Sequence, residues 1–293
     1  MLDWAEIGRE CGLRVRSTHC IGEGWNSRAF LVNDELVFRF SKSAAQWPEI
    51  DREMKFLAWA ADRLPLAVPR YEQATAHSPA CPSGYAVYRY LPGQPMDIDA
   101  MSTRSRTEAA ECLATFLRTL HALQPSDQLG ALLPRDDPHR IAEERLTQVE
   151  RRIAGALAPA EARAIRRLSD AYLNTRNNFT FEPVVLHADF SRDHLLSRES
   201  LVVGVLDFGD VNWGDADYDF HYLFMEFGDA FATEVARRYG HPDPLDLVDK
   251  LRYFSVCDQA ETILDGGARS LPGQVERAWR HLRELLEPMA RTS

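Results

Sequence analysis

The sequence predicts an α+β fold in which a small antiparallel sheet comes first and a mainly helical region follows. Two strand-like runs near the N-terminus, residues 29–32 and 36–40, are joined by the turn formers Asn33 and Asp34, a pattern typical of a β-hairpin. From residue 104 onward, most apolar residues recur at the three- and four-residue spacing of amphipathic helices. Further helices are expected over residues 139–157, 159–177, 217–239, 244–264 and 272–289. These observations favour a bilobal molecule.

The boundary between the two lobes is expected just after a strand-like run at residues 84–90, which is followed by Leu91 and Pro92. Residues 1–91 then form the N-terminal lobe and residues 92–293 the helical C-terminal lobe. A chain of 293 residues is long enough to build a core in each of them.

A loop with two glycines precedes the predicted hairpin. Gly22 and Gly24 allow the backbone to approach a ligand closely, and Ser27 offers a hydroxyl and an N–H group beside them. The loop is therefore a candidate phosphate-binding segment, although it is neither a Walker loop nor a Rossmann fingerprint.

The second strand of the hairpin carries a charged residue between two phenylalanines. Side chains alternate along a strand, so Arg39 lies on the face opposite to Phe38 and Phe40 and is expected to point into a cleft. Lys42, just beyond the expected strand end, is the alternative cation. The next apolar pattern predicts a helix over residues 49–64.

Composition excludes several classes of function. The net charge of −10 disfavours nucleic acid as a partner, because phosphate contacts need clustered Lys and Arg, and it favours a cationic small molecule instead. No apolar run approaches the ~20 residues of a membrane helix, so no membrane is expected. Five scattered cysteines without a C-x-x-C pair argue against a disulfide framework or a zinc site and suit the cytoplasm.

Two acidic residues each follow a short apolar run. Asp189 comes shortly after residues 184–186, and Asp207 directly follows residues 201–206. Runs of this kind read as short buried strands, and a strand end directs the next side chains into a cleft. Two carboxylates delivered in this way can divide phosphoryl-transfer work, one near an acceptor hydroxyl and one on a metal.

The surrounding residues follow the order of the protein-kinase motifs H-R-D-x-x-x-x-N and D-F-G. The chain has His187-Ala188-Asp189, then His194 five residues after the aspartate, and later Asp207-Phe208-Gly209. It departs from the pattern at Ala188, which replaces Arg, and at His194, which replaces Asn. With these residues, and with the continuation Gly214-Asp215-Ala216-Asp217-Tyr218-Asp219-Phe220, the chain resembles the aminoglycoside phosphotransferase family over about residues 20–265, and most of all the aminoglycoside 2''-phosphotransferases.

The resemblance implies a protein-kinase-like fold, Mg²⁺ as cofactor, ATP or GTP as phosphate donor, and roles for particular residues. Asp189 would be the catalytic residue, which orients the acceptor hydroxyl and takes its proton. Asp207 and His194 would face the metal, although histidine is an unusual ligand for Mg²⁺. Arg39, oriented by Glu53 on the following helix, would bind the phosphates.

The resemblance also implies where the nucleotide base and the acceptor bind. Tyr88 and Tyr90 lie on the run that leads into the interlobe hinge of kinase-like folds, where the purine is expected. Asp210 and Glu226 are thereby candidate ligands of a cationic acceptor, and Asp229, one of several acids that follow the catalytic loop, is a third candidate.

The expected function is transfer of the γ-phosphate of ATP or GTP to a hydroxyl of an aminoglycoside antibiotic. The alternatives are a kinase of a macrolide or of a small metabolite such as a sugar, choline or homoserine, and a catalytically inactive kinase fold that serves as a binding module. The sequence does not decide the oligomeric state, and a monomer is the expectation.

Overall fold

The computed structural model describes residues 2–268 and 272–290. They group into two compact units, one made of Met1–Leu133 with His187–Val211 and the other of Pro134–Leu186 with Asn212–Ser293. An antiparallel sheet followed by a mainly helical chain confirms the predicted α+β class. The lobe boundary at residue 91 stays a prediction.

The first unit is built on a five-stranded antiparallel sheet in the order β1-β2-β3-β5-β4. Its helices and strands are α1 (Trp4–Glu10), β1 (Thr18–Glu23), β2 (Ser27–Val32), β3 (Leu36–Ser41), α2 (Trp47–Ala60), β4 (Tyr71–Thr75), β5 (Tyr85–Arg89), β6 (Gln94–Pro95), α3 (Thr103–His121), α4 (Asp127–Gly130), β8 (Leu195–Arg198) and β9 (Leu201–Val205).

The predicted hairpin is formed by β2 and β3. Asn33 and Asp34 both take left-handed backbone angles, with φ of 55° and 61°, as the tight turns that match strand twist require. Phe38 and Phe40 are buried on one face of the sheet, where they pack with Ile7 and other apolar residues. This packing directs Arg39, on the same strand, to the opposite face.

A second hairpin is formed by β8 and β9, and β9 ends two residues before Asp207. Strand β8 lacks a run long enough to be predicted from the sequence, and the turn joining it to β9 again uses two left-handed residues, Glu199 and Ser200. The backbone of Ala67 accepts from Val205 and donates to Val203, which fixes β9 against the segment after α2.

The second unit is mainly helical. Its elements are α5 (Pro138–Arg152), α6 (Pro159–Asn174), β7 (Val184–Leu186), β10 (Asn212–Gly214), α7 (His221–Phe227), α8 (Asp229–Tyr239), α9 (Leu247–Ala268) and α10 (Pro272–Ala290). Tyr172 stacks on Tyr253 in its core, with 3.8 Å between ring centroids. None of the helices in the described part of the chain combines the length and apolar character that a bilayer crossing requires.

Candidate active site

His187 fixes the loop that carries Asp189. Its ring is fully buried, its Nδ1 accepts from the Asp189 N–H at 3.2 Å, and its Nε2 lies 2.9 Å from the carbonyl oxygen of Leu206. Because Nδ1 is an acceptor, the proton is on Nε2 and is donated to Leu206. The same ring therefore connects the Asp189 loop to the residue before Asp207.

Two phenylalanines anchor these loops in the core of the first unit. Phe190 stacks on Phe116 of α3 with 5.7 Å between centroids, and Phe208 lies 5.9 Å from Phe56 of α2. All four rings are fully buried. Each predicted carboxylate thus has a buried aromatic as its next neighbour in the chain, which limits how far the backbone can move.

His194 lies between the two predicted carboxylates. Its Nδ1 is 2.9 Å from the backbone oxygen of Asp189 and 3.4 Å from Oδ2 of the same residue, and its Nε2 is 3.7 Å from Oδ2 of Asp207. Burial lowers the pKa of His194, but the charges of Asp189 and Asp207 outweigh it and raise the pKa to about 10. The imidazole is therefore positively charged at neutral pH in the absence of another cation.

The charge of His194 also keeps Asp189 ionised. Burial works to raise the pKa of Asp189, but the charge and the hydrogen bond of His194, together with His187, outweigh it and lower the pKa. The side chain remains partly accessible, with 28% of its surface exposed, so a substrate can reach it.

Arg39 joins three parts of the first unit through three different nitrogens. Its Nε donates to Ser27 Oγ at 3.0 Å, its Nη1 to Glu53, and its Nη2 to Asp207 Oδ1 at 2.7 Å. The other candidate, Lys42, instead pairs with the Glu23 carboxylate at 3.1 Å. The geometry therefore favours Arg39 as the cation beside Asp207.

The buried charges of this cluster depend on each other. Glu53 is fully buried, and burial raises its pKa against the opposing attraction to Arg39. Burial also works to raise the pKa of Asp207, but Arg39 and His194 outweigh it, and its pKa lies below the usual range.

Asp207 has a strained backbone. Its φ of 58° is unusual for a residue with a side chain and costs of order 1–3 kcal/mol, so the surrounding structure must hold it in place. The N–H of Gly209 donates to Asp207 Oδ1 at 3.3 Å, and the carbonyl of Gly209 accepts from Arg52. Arg52 and the loop residue Asn26, which binds Glu49 on α2, have no motif that singles them out in the sequence.

The residues around Asp207 are compatible with a bound Mg²⁺. Among the described residues, no group of three or more His, Cys, Asp or Glu side chains is arranged to hold a metal ion unaided. Mg²⁺ commonly needs only one or two carboxylates, because substrate phosphates and water complete its shell. Asp207 Oδ2 offers such an oxygen, and His194 Nε2 faces the same atom.

The glycine-containing loop is open towards solvent. Gly22 pairs with Ala29 at an irregular point in β1, and the Gly24 N–H donates to the Ser27 carbonyl in a turn. A Cβ at Gly24 would meet no atom within 4 Å, so one side of this loop can receive a ligand.

The two predicted base-binding tyrosines differ in environment. Tyr88 is buried on β5 opposite Val37, on the same sheet face as Arg39, and its ring meets Tyr71 edge-on at 5.2 Å. Burial raises its pKa, so its phenol stays neutral. Tyr90 is half-buried, and its N–H donates to the Glu35 carbonyl at 2.8 Å.

The three predicted acceptor ligands fall in different elements. Asp210 is in the first unit, where loss of hydration and the charges of Asp189 and Asp207 raise its pKa to about 7. Glu226 on α7 is half-buried, and Asp229 at the start of α8 is exposed.

A model of the phosphotransferase enzyme family matches residues 19–252. Among curated proteins, an aminoglycoside 3'-phosphotransferase of Escherichia coli is 28% identical over 149 residues, which cover 48% of this chain and 52% of that protein. The chain thus aligns with about half the length of this curated relative.

Solved structures match nearly the whole chain. The GDP complex of aminoglycoside 2'-phosphotransferase-IIIa is 24% identical with a TM-score of 0.87, covering 98% of this chain and 97% of that one. A GDP and kanamycin complex of an APH(2'') enzyme is 25% identical with a TM-score of 0.87, covering 96% and 97%. A macrolide 2'-phosphotransferase from Brachybacterium faecium is 20% identical with a TM-score of 0.70, covering 94% and 96%. The predicted kinase-like fold is confirmed.

Proposed function

Because the chain belongs to the phosphotransferase enzyme family, we propose that it transfers the γ-phosphoryl group of ATP or GTP to a hydroxyl of an aminoglycoside. The observation that carries this proposal is the placement of His194 within 3.4 Å of the Asp189 carboxylate and 3.7 Å of the Asp207 carboxylate. One carboxylate beside an acceptor and another beside a metal is the arrangement that phosphoryl transfer requires.

Asp189 is the proposed catalytic residue. Its lowered pKa keeps it ionised, so one oxygen can accept a hydrogen bond from the acceptor hydroxyl. In a loose transition state the hydroxyl needs little activation, and holding it in line with the γ-phosphorus provides most of the rate enhancement. The hydroxyl proton passes to Asp189 as the new O–P bond forms and the bond to the leaving diphosphate breaks.

Arg39 is the proposed phosphate-binding cation. Its planar guanidinium is always charged and presents donors in a fork that suits phosphate oxygens. Glu53 holds this fork from the side of α2, and Ser27, which follows the open loop with Gly22 and Gly24, accepts from Arg39 Nε. The loop is proposed to lie over the phosphates. Tyr88 and Tyr90 are proposed to lie beside the base.

Asp207 and His194 are the proposed ligands of Mg²⁺, with His194 in the neutral form that remains once its second proton has left. The metal would neutralise charge on the transferred phosphates. Asp207 is suited to this because Arg39 and Gly209 bind Oδ1 and leave Oδ2 facing His194. Asp207, His194, Arg39 and Gly209 all belong to the first unit of one chain, so the proposed metal site is compatible with a monomer. The donor nucleotides and Mg²⁺ are abundant in the cytoplasm, which is the proposed location.

An aminoglycoside is the proposed acceptor because carboxylates suit its several ammonium groups. Asp210, Glu226 and Asp229 are the proposed ligands. Two other acids of this region are neutralised by cations of the chain itself, since Asp215 pairs with Lys250 at 2.5 Å and Glu261 with Arg145 at 2.5 Å. Kanamycin is bound in one of the similar structures.

A coupled assay of nucleotide consumption tests the proposal. Purified protein is supplied with Mg²⁺, ATP or GTP, and in turn kanamycin, a macrolide, choline, homoserine and a sugar, with phosphorylated product identified by mass spectrometry. We expect the highest kcat/KM with the aminoglycoside and loss of turnover in Asp189→Ala. Preferential turnover of another acceptor would assign the enzyme to that substrate, and nucleotide binding without turnover of any acceptor would indicate a binding module.

A further inference from the structure

Helix α2 presents three charged side chains on one face. Glu49, Arg52 and Glu53 are three and four residues apart, and this spacing brings them to the same side of an α-helix. Glu53 binds Arg39. Glu49 binds the loop before β2, to which the proposed function assigns phosphate binding. Arg52 binds the loop after β9, to which the proposed function assigns metal binding.

Glu49 holds the loop before β2 through Asn26. The Asn26 Nδ2 donates to Glu49 Oε2 at 2.6 Å, and its Oδ1 accepts from Gln46 Nε2 at 2.9 Å. The backbone carbonyl of Asn26 also accepts from the N–H of Lys42 at 2.9 Å. Asn26 stands between Gly24 and Ser27, so these bonds fix the middle of the glycine-containing loop to the start of α2.

Arg52 holds the loop after β9 through Gly209. The guanidinium donates to the Gly209 carbonyl, while the N–H of the same glycine donates to Asp207 Oδ1. A Cβ at Gly209 would lie 3.1 Å from that oxygen, so the glycine backbone is packed directly against the carboxylate. Displacing the Gly209 peptide would therefore displace Asp207.

Stability alone does not account for the placement of Arg52. Its Nε is buried and has no hydrogen-bond partner among the described residues, and burying an unpaired donor is unfavourable. The backbone that Arg52 fixes is the strained one at Asp207, whose φ of 58° needs support from its surroundings.

We propose that Glu49 and Arg52 are positioning residues that hold the glycine-containing loop and the Asp207 carboxylate at a fixed separation through α2. Both are proposed to act indirectly, Glu49 through Asn26 and Arg52 through Gly209. The two residues are only about 4.5 Å apart along the helix axis, so the helix is a short and stiff connection. This inference rests on the proposed function.

The test compares Arg52→Met and Glu49→Leu with a matched control on the same helix. Lys55→Met removes an exposed ion pair with Asp51, 2.6 Å long, and leaves the binding face of α2 intact. Binding of a non-hydrolysable ATP or GTP analogue is measured by calorimetry over a range of Mg²⁺ concentrations, and kcat and KM are then measured separately.

We expect Arg52→Met to raise the Mg²⁺ concentration for half-maximal binding about 10- to 100-fold, as loss of a supporting contact at a metal site does. Glu49→Leu should raise the KM for the nucleotide by a similar factor. Lys55→Met should match the wild type, and Arg52→Lys, which retains a donor for the Gly209 carbonyl, should remain within about threefold of it. If Arg52→Met does not fold, Glu49→Leu still tests the inference against Lys55→Met.

Equal Mg²⁺ dependence in Arg52→Met and Lys55→Met would overturn the inference. So would a lowered unfolding temperature with unchanged nucleotide affinity, since that pattern indicates a purely structural role. The calorimetric comparison does not depend on turnover, so it tests the inference separately from the proposed function, which a wild type that transfers phosphate to no acceptor would refute.

Discussion

Arg39→Met is expected to be one of the most destabilising single substitutions in the first unit. Methionine keeps much of the arginine's volume but removes all three nitrogens, which donate to Ser27, Glu53 and Asp207. The largest effect should come from Glu53, which is 0% exposed and would be left as a buried carboxylate without its cation. Breaking a buried ion pair in this way costs about 3–5 kcal/mol.

The other two contacts should add little. The Asp207 carboxylate is 36% exposed, so water screens its interaction with Arg39 and we assign it no more than about 1 kcal/mol. The total of about 4 kcal/mol is a large fraction of the 5–15 kcal/mol that typically holds a native protein together. With a urea m-value of about 3 kcal/mol/M, the unfolding midpoint should fall by about 1 M.

A double-mutant cycle measured by urea unfolding separates the buried pair from general damage. Arg39→Met with Glu53→Leu removes both charges, and replacing a buried ion pair by apolar residues of similar volume is often nearly neutral. We therefore expect the double variant to be more stable than Arg39→Met alone, with a coupling energy of at least ~2 kcal/mol. Additive losses would refute the account of Glu53 as a carboxylate that depends on Arg39.

The pH dependence gives a second check on the same variant. Burial raises the folded-state pKa of Glu53, and removing Arg39 takes away the main opposing influence. A carboxyl group whose folded pKa is raised favours the folded state at low pH, and stability falls as the pH rises from the unfolded value of about 4.3 through the folded value. Arg39→Met should therefore lose more stability at pH 8 than at pH 5, and Glu53→Leu should abolish that difference.

Four further outcomes are expected. Asp189→Ala should lower kcat by at least about 10³-fold with an unchanged unfolding temperature, and near-wild-type turnover would rule out its catalytic role. Asp207→Asn should raise the Mg²⁺ requirement for nucleotide binding at least about tenfold, so an unaltered magnesium titration would argue against metal binding there. Burial works to raise the pKa of Asp217, but the hydrogen bond from His241 and the contacts with Lys250 outweigh it and lower the pKa. The stability that this carboxylate adds is therefore present above about pH 4 and lost as the pH falls below it. The loss of unfolding free energy in Asp217→Asn, measured by urea unfolding, should accordingly be smaller at about pH 3 than at about pH 6. Gly228→Ala should cost about 1–3 kcal/mol in chemical unfolding because φ there is 86°, and a neutral result would contradict the assigned backbone strain.

The hairpin and the direction of Arg39 could be predicted because both follow from local rules. Turn residues at 33 and 34 fix the register of β2 with β3, and strand alternation then places Arg39 opposite to its phenylalanine neighbours. The loops bearing Asp189 and Asp207 were predictable for a similar reason, since each acid follows an apolar run. None of these inferences needs knowledge of distant contacts.

Other features depend on contacts that no local pattern reveals. The apolar periodicity of residues 217–239 predicts one helix, but the structure has a 3₁₀ turn, α7 and α8, with a break at Gly228. A lone glycine within a helical pattern is often tolerated, and only its positive φ identifies it as a breaker. The helix predicted over residues 244–264 is displaced along the chain in the structure, where α9 begins at Leu247 and continues to Ala268.

The spacing of His194 from Asp189 marks it as a candidate but does not determine which atoms it contacts. In the structure the short 3₁₀ turn Arg192–His194 brings the ring back beside the Asp189 carbonyl, so that its two nitrogens face two different carboxylates. This outcome depends on how close the Asp189 loop lies to the end of β9 within the first unit, which is a tertiary property. Sequence distance alone cannot provide it.

The choice of arginine rather than lysine at position 39 has a physical consequence for the whole cluster. A lysine carries all its donors on one nitrogen, whereas the guanidinium places three nitrogens along a planar fork, each with its own partner at Ser27, Glu53 and Asp207. The fork therefore ties the glycine-containing loop, α2 and the Asp207 segment together in one rigid unit. A phosphate that binds Arg39 must either use the remaining donor positions of this fork or replace Asp207 at Nη2, and the second route would free Oδ1 of Asp207 at the moment the nucleotide arrives.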